Sequence, residues 1–259
     1  MRIALGVEYD GSSFHGWQEQ PGLYTVQACL TQAIATIANH DVQIHCAGRT
    51  DTGVNATGQV VHFDSTAHRS IKSWMYGCNS NLPSSIVVRW AHEVNDEFHA
   101  RFSATSRRYR YLIYNHPVRP ALWRSCLTWH YRPLEHLPMQ EAAQLLLGEH
   151  DFSSFRSSEC QSSTPMRNLQ AISVERRGDI IQVDITANAF LHHMVRNIVG
   201  CLMTVGSGKQ PAAWITEVLE ARDRRVGAET APPYGLYLVH VDYPDHFELP
   251  TTELGPMFF

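Results

Sequence analysis

The sequence lacks Cys-x-x-Cys pairs, long apolar runs and, almost entirely, lysine. Its six cysteines are scattered over 259 residues. This spacing argues against a zinc site or a redox pair and indicates reduced thiols in a cytosol. No apolar run approaches the length that crosses a bilayer, and the apolar stretch 3–7 is too short for a signal peptide. We therefore expect a cytoplasmic protein with no membrane segment.

Fingerprints of cofactor and metal binding are also missing. The sequence contains no glycine-rich dinucleotide motif, no phosphate-binding loop and no metal-ligand spacing among its 15 histidines. His192 and His193 are adjacent, so on a helix their side chains point in different directions. With 44% hydrophobic and 18% charged residues, the composition is typical of a globular protein. We expect a folded protein that binds no metal and no cofactor.

Basic residues are few but clustered. The net charge of −4 argues mildly against a nucleic-acid partner, because neutralising phosphates drives such binding. However, 19 of the 21 basic residues are arginine, whose planar fork suits phosphate oxygens and stacks on bases. The two clusters are Arg101, Arg107, Arg108 and Arg110, and Arg222, Arg224 and Arg225. Aromatic residues interleave with 107–110 and favour RNA binding there, whereas the second cluster is equally typical of a solvated face.

Periodicity divides the chain into two halves with the same order of elements. In the first half the predicted elements are a strand at 2–9, a helix from Thr25, strands at 41–47 and 58–64, a helix at 71–78 and a strand at 85–94. In the second half they are a strand at 106–114, a helix at 138–147, strands at 168–176 and 179–188, helices at 190–205 and 212–222, and a strand at 235–243. The first half has the order βαββαβ, which is the ferredoxin-like unit, and the second half repeats that order with two helices before its last strand.

We therefore predict an α+β fold with an N-terminal half at 1–104 and a C-terminal half at 105–259. Two such halves, placed side by side, can join their sheets edge to edge and leave a cleft between them. The serine-rich segment 149–167 shows no periodicity and is predicted to be a surface loop. For the C-terminal tail 253–259 the sequence predicts no role, although the apolar residues 257–259 suit packing on a neighbour.

The segment 46–64 is the most informative part of the sequence. It places Asp51 two residues after Arg49, in a loop punctuated by glycine between two apolar runs, and loops held by rigid strands are where chemistry usually occurs. On composition alone, a polar turn in which Asp51 caps its own backbone is the simpler interpretation. Asp51-Thr52-Gly53 is also the triplet of aspartic proteases. Those enzymes need two such carboxylates, whereas this chain has one such triplet.

The same segment resembles the active-site motif of the tRNA pseudouridine synthase A family. Four further segments resemble that family in the same order, and the similarity extends from about residue 9 to residue 244. The five motifs are YDGSSFHGWQ at 9–18, GRTDTGVNA at 48–56, RRYRY at 107–111, FLHHMVRN at 190–197 and GLYL at 235–238. Five ordered motifs are far more specific than any one of them.

The resemblance implies a pseudouridine synthase fold, in which two ferredoxin-like halves share a mostly antiparallel sheet and enclose the active site in a cleft. It implies a homodimeric enzyme that isomerises uridines 38, 39 and 40 in the anticodon stem-loop of tRNA, without a cofactor. Asp51 matches the catalytic aspartate and Arg196 its cationic partner. The resemblance also assigns stacking on the target base to Tyr109, the lining of the uracil pocket to Leu236, and the holding of the flipped nucleotide to Arg49.

Isomerisation of uridine breaks a glycosidic bond, rotates the uracil and forms a carbon–carbon bond, with no oxidation. Asp51 can serve this reaction by adding to the ring, by trapping the sugar carbon or by removing a ribose proton, and the sequence leaves all three routes open. A non-catalytic RNA-binding module is a further alternative, because ferredoxin-like units often present a sheet to single strands.

Overall fold

The computed structural model describes residues 1–251, Gly255 and Pro256, so the apolar residues 257–259 lie outside the described part. Over these described residues the chain forms ten strands and five α-helices. In chain order they are β1 (Arg2–Tyr9), α1 (Val26–Ala38), β2 (His45–Cys46), β3 (Asn55–Asp64), α2 (Ile71–Asn81), β4 (Ile86–Val94), β5 (Ser106–Asn115), β6 (Thr128–His130), α3 (His136–Gln144), β7 (Gly148–Asp151), β8 (Met166–Arg177), β9 (Ile180–Ala187), α4 (Met194–Gly206), α5 (Trp214–Ala221) and β10 (Leu236–Asp242). The predicted α+β class is confirmed. No helix in the described part is long and apolar enough to span a bilayer.

Contacts divide the chain into two compact units. The first unit comprises Met1–Thr105 and Tyr237–Phe259, and the second comprises Ser106–Leu236. The last strand, which the sequence places in the C-terminal half, therefore belongs to the first unit from Tyr237 onwards. Its pairing explains this grouping, because β10 lies parallel to β3 with Tyr237 opposite Asn55.

The first unit is built on a sheet in the order β4-β1-β3-β10, with β2 paired to β3. β1 pairs antiparallel with both neighbours, so Leu5 lies opposite Val61 on β3 and Ala91 on β4. Helix α2 packs against β4 and against α1. Rings from the sheet and the helix meet in the core, where Phe63 contacts Trp74 edge-on at 5.1 Å and both are fully buried. Burial of large side chains such as these is the main favourable term in folding.

The second unit is built on an antiparallel sheet in the order β5-β9-β8-β7, with β6 parallel to β5. In the register of β5 with β9, Tyr109 lies opposite Ile185 and Arg110 lies opposite Asp184. Helix α3 packs against β8 and α4. Nearly every residue of α4 is buried, and this burial explains why its sequence is apolar almost all round.

The start of α1 and the turn between β8 and β9 each depend on local contacts. The side chain of Thr25 precedes α1 and accepts a hydrogen bond from the Ala28 amide at 3.4 Å, as expected for a residue that caps a helix. The hairpin between β8 and β9 turns at Gly178, whose φ is 58°. Glycine adopts this left-handed conformation with little strain. Both features depend on a few neighbouring residues, which is why the sequence alone predicts them.

Two predictions of local structure are wrong. The predicted surface loop begins instead with β7, which pairs with β8 so that His150 lies opposite Arg167, and Phe152 and Phe155 just after it are fully buried. A four-residue strand is too short to show alternation, so periodicity misses it. Conversely, the strand predicted at 41–47 is reduced to His45–Cys46.

Candidate active site

The loop with Asp51 connects β2 to β3 in the first unit. Asp51 is half-buried there, and Arg49 is exposed. The Val54 amide donates a hydrogen bond to the Asp51 carbonyl at 3.1 Å, which closes a turn in which Gly53 takes a φ of 79°. Because other residues resist this conformation, the glycine two positions after Asp51 gives the loop its shape.

The glycine-containing segment that follows β1 holds this loop on one side. The Trp17 amide donates to the Thr50 carbonyl at 2.9 Å, and the Gly11 amide donates to the Asn55 side-chain oxygen at 2.8 Å. A Cβ atom at Gly16 would lie 2.8 Å from the Thr50 carbonyl oxygen, which is closer than packed atoms tolerate. The first motif of the chain therefore serves as a backbone support for the loop with Asp51.

A buried polar network holds the loop on the other side. The Tyr9 hydroxyl lies 2.8 Å from Thr50 Oγ1. The Gln59 side-chain amide donates to the Gly48 carbonyl at 2.6 Å and to the Tyr9 hydroxyl at 3.4 Å. Tyr9, Thr50 and Gln59 are all buried. Hydrogen bonds between buried groups rigidify their surroundings, so the backbone on the N-terminal side of Asp51 is fixed.

The other predicted site residues, Tyr109, Arg196 and Leu236, lie in the second unit. Tyr109 is on β5 and is 8% exposed, with its ring edge-on to the Phe190 ring at 5.0 Å. Arg196 is in the first turn of α4 and is half-buried. Leu236 is the first residue of β10 and is buried.

The segment 231–235 connects these positions within the second unit. Arg196 Nε donates to the Ala231 carbonyl at 2.8 Å, and the Ala231 amide donates back to the Arg196 carbonyl at 3.1 Å. The next carbonyl, of Pro232, accepts a hydrogen bond from the Tyr111 hydroxyl at 2.7 Å. Burial raises the pKa of Tyr111, so this hydroxyl keeps the proton that it donates. The guanidinium of Arg196 is thereby held in one orientation relative to β5.

The arginines that precede and follow Tyr109 have partners inside the protein. Arg110 donates to both carboxylate oxygens of Asp184, at 2.8 and 2.9 Å, and Arg108 donates to the same carboxylate at 2.7 Å. Burial raises the pKa of Asp184, but the hydrogen bonds from Arg110 and Arg108 outweigh this and lower it below its usual value. The prediction that this cluster contacts RNA is therefore wrong for Arg110, which is buried and already paired.

Comparison with known proteins identifies the family. The sequence model of the family described as tRNA pseudouridine synthase matches residues 6–103 and 142–244. The chain belongs to the tRNA pseudouridine synthase family. The matched residues include both the loop with Asp51 and the helix with Arg196, which lie in different units.

Relatives of this tRNA pseudouridine synthase are similar over their full length. The chain is 58% identical over 258 residues to the tRNA pseudouridine synthase A of Legionella pneumophila (strain Lens), covering 100% of this chain and 98% of that protein. It is 57% identical over 258 residues to the enzyme of the same name from Alcanivorax borkumensis, covering 99% and 97% of the two chains. It is 57% identical over 259 residues to the tRNA pseudouridine synthase A of Tolumonas auensis, covering 100% of this chain and 99% of that protein. Such similarity leaves no support for the aspartic-protease interpretation of Asp51-Thr52-Gly53.

One residue of the synthase that the sequence analysis left without a role is Asn197. It is 1% exposed, and its side-chain oxygen accepts hydrogen bonds from Thr230 Oγ1 at 2.7 Å and from Arg224 Nη2 at 3.0 Å. Its side-chain amide donates to the Phe155 carbonyl at 2.8 Å. Asn197 therefore anchors the segment that binds Arg196. The sequence signal that could have identified Asn197 is its position inside the motif at 190–197.

Proposed function

We propose that this protein isomerises uridine to pseudouridine in tRNA, with Asp51 as the catalytic residue. The observation that carries the proposal is membership of the tRNA pseudouridine synthase family, joined to full-length similarity to enzymes named tRNA pseudouridine synthase A. The reaction rearranges bonds within one nucleoside. It neither oxidises nor reduces the substrate, so it needs no redox cofactor.

The support for Asp51 is its rigid setting. A carboxylate that adds to carbon or takes a proton gains most when its position is fixed before the substrate binds. The Thr50 and Gly48 backbone groups and the Val54 turn all hold the loop on which Asp51 stands. A side chain that acted only as a turn cap would not need this degree of support.

We assign three further roles in the second unit. From its match to the family motif, Arg196 is assigned the supply of positive charge to the catalytic carboxylate, and its hydrogen bond to Ala231 fixes the guanidinium within the second unit. Tyr109 offers an aromatic face to the target base and a hydroxyl to its edge. Leu236 supplies an apolar wall to the uracil pocket. These roles follow from the matching positions in the family motifs and agree with the buried or half-buried setting of all three side chains.

The substrate site in tRNA is proposed to be the anticodon stem-loop, at uridines 38, 39 and 40. A uridine in a stem must leave the base stack before a side chain reaches its ring, which costs on the order of a few kcal/mol. Arg49 is exposed on the loop with Asp51, and we propose that it holds the displaced nucleotide. We further propose that the protein acts in the cytoplasm as a homodimer, which light scattering on the purified protein tests.

The test of catalysis is Asp51→Ala. Pseudouridine formation in tRNA should fall by more than about 1000-fold, because loss of a group that makes and breaks bonds costs this much or more, while tRNA binding should persist. Modified uridines are mapped by chemical labelling and primer extension on tRNA treated with each protein.

The matched control for Asp51→Ala is Asp41→Ala, which removes an exposed carboxylate from the same unit and should leave turnover unchanged. Turnover retained by Asp51→Ala would contradict the catalytic role. Absence of pseudouridine from tRNA treated with the native protein would contradict the proposed function itself.

A further inference from the structure

A large apolar side chain stands exposed in a rigid turn that the reaction does not explain. Phe102 is 75% exposed. The turn around it is closed by hydrogen bonds from the Ser103 amide to the His99 carbonyl and from the His99 amide to Ser103 Oγ, both at 2.9 Å. His99 Nδ1 also accepts from the amides of Arg101 at 3.1 Å and Phe102 at 3.3 Å. These hydrogen bonds hold the backbone of the turn, and the turn presents Phe102 to solvent.

The ring is part of a small surface with aromatic and cationic character. The Phe102 ring lies 4.4 Å from the His99 ring, and the His99 ring lies 5.2 Å from the His45 ring. The Arg101 guanidinium lies 5.5 Å from the centre of the Phe102 ring. We call the side chains of Phe102, Arg101, His99 and His45 the aromatic platform.

The aromatic platform combines the two groups that suit a nucleotide, an aromatic ring for the base and a guanidinium for the phosphate. Every nucleic-acid base has a flat π face that stacks on an exposed aromatic ring, whatever the sequence. Arginine beside the ring supplies a planar cation for a phosphate oxygen. Burial and neighbouring cationic groups lower the pKa of His99, so at neutral pH its ring adds stacking area and no charge. An apolar protein partner would gain from the ring but would have to desolvate the exposed guanidinium.

The aromatic platform belongs to the same unit as the loop with Asp51. His45 is on β2, the strand that leads directly into that loop. Burial raises the pKa of the Cys46 thiol to about 12, and the positive charges of Arg49 and Arg101 partly offset this. Arg49 and Arg101 therefore both lie in the neighbourhood of the Cys46 side chain.

We infer that the aromatic platform binds an unpaired base of the RNA substrate next to the target uridine, by stacking on Phe102 with Arg101 on the adjoining phosphate. The inference rests on the proposed function and adds a second base contact to it. Holding a neighbouring base offsets part of the cost of opening the stack around the target, and it does so without touching the reacting atoms.

The first test is the affinity of a fluorescently labelled anticodon stem-loop, measured by anisotropy with Asp51→Ala as the parent so that no turnover interferes. Adding Phe102→Ala should raise Kd by about tenfold, as loss of one stacked base does. Phe102→Trp should restore the affinity, and Phe102→Leu, which keeps apolar bulk without a π face, should not. Tyr76→Ala removes another exposed aromatic ring, 62% exposed on α2, and should leave Kd unchanged.

The second test separates the phosphate contact from the stacking. Arg101→Gln should reduce the slope of log Kd against log salt by about one, whereas Phe102→Ala should leave that slope unchanged. An unchanged Kd for Phe102→Ala, or full rescue by leucine, overturns the stacking inference. An unchanged slope for Arg101→Gln overturns the phosphate contact.

Different results would contradict the proposed function and the binding of a base by the aromatic platform. If the native protein makes no pseudouridine in tRNA, the proposed function fails. If the native protein is active while Phe102→Ala binds the stem-loop as tightly as its parent, the platform inference alone fails. Circular dichroism of each variant checks the fold, which the change at Phe102 should leave intact because its side chain is 75% exposed.

Discussion

Arg101 and Arg110 belong to one arginine cluster in the sequence, yet the structure gives them opposite surroundings. Arg110 is 8% exposed and donates to both oxygens of Asp184. Arg101 is exposed and lies over the Phe102 ring. Arg110 stands on a strand whose neighbour places a carboxylate directly opposite, whereas Arg101 stands in a turn that faces solvent. A run of arginines in the sequence therefore does not by itself define a phosphate-binding surface. The residue opposite each arginine decides whether its guanidinium is buried in an ion pair.

The sharpest test of this contrast is Asp184→Ala. It leaves the buried guanidinium of Arg110 without its carboxylate, and breaking a buried pair in this way costs about 3–5 kcal/mol of unfolding free energy. Urea unfolding measures the loss.

The control for Asp184→Ala is Asp64→Ala, in the ion pair of Asp64 with Arg2 at 2.8 Å. There the aspartate side chain is 65% exposed, and such pairs contribute about 0–1 kcal/mol. Similar losses in the two variants would show that burial does not distinguish the pairs.

The second test is the pH dependence of the buried pair. The folded pKa of Asp184 is depressed, so its contribution to stability is complete above the unfolded pKa of about 3.9 and is lost as pH falls through the folded pKa. The difference in unfolding free energy between the native protein and Asp184→Asn should therefore stay constant down to about pH 5 and shrink below about pH 4. Urea titrations at several pH values measure it, and a difference that grows on acidification would contradict the argument.

The smallest expected effect is that of Arg101→Gln on stability. An exposed side chain away from the core usually changes the unfolding free energy by no more than about 0.5 kcal/mol. Arg110→Gln is the matched change in the buried setting, and it should cost several times more because Asp184 loses its bidentate partner. The two are compared by urea unfolding under identical conditions. Equal costs would remove the distinction between the two arginines.

Elements with local signals were predictable. The helix predicted from Thr25 and the turn between the strands predicted at 168–176 and 179–188 depend on residues within a few positions of each other, and both are present in the structure. The order of elements in the first half also followed from periodicity. The segment after Gly148 was mispredicted because β7 exists only through its pairing with β8, a partner that lies well beyond the window in which periodicity is judged.

The sequence motifs propose the candidate site residues, but they do not predict the contacts that support them. Asp51, Arg49, Tyr109, Arg196 and Leu236 followed from five short motifs. The supporting contacts did not, because the segment 46–64 contains Gln59 without revealing its partners, and Asn197 reaches Thr230 across 33 positions. A buried amide has no signature of its own until its partners are known.

By itself, the sequence determined the α+β class and the order of most elements, since these depend on periodicity and turn chemistry, and its family motifs indicated the residues proposed for the chemistry. Only the tertiary structure decided which arginines are buried and which face solvent. Asp184 stands 74 positions from Arg110, and cross-strand register alone brings the two charges together. The same folding leaves Phe102 on a rigid exposed turn, an environment that depends on hydrogen bonds and not on residue type.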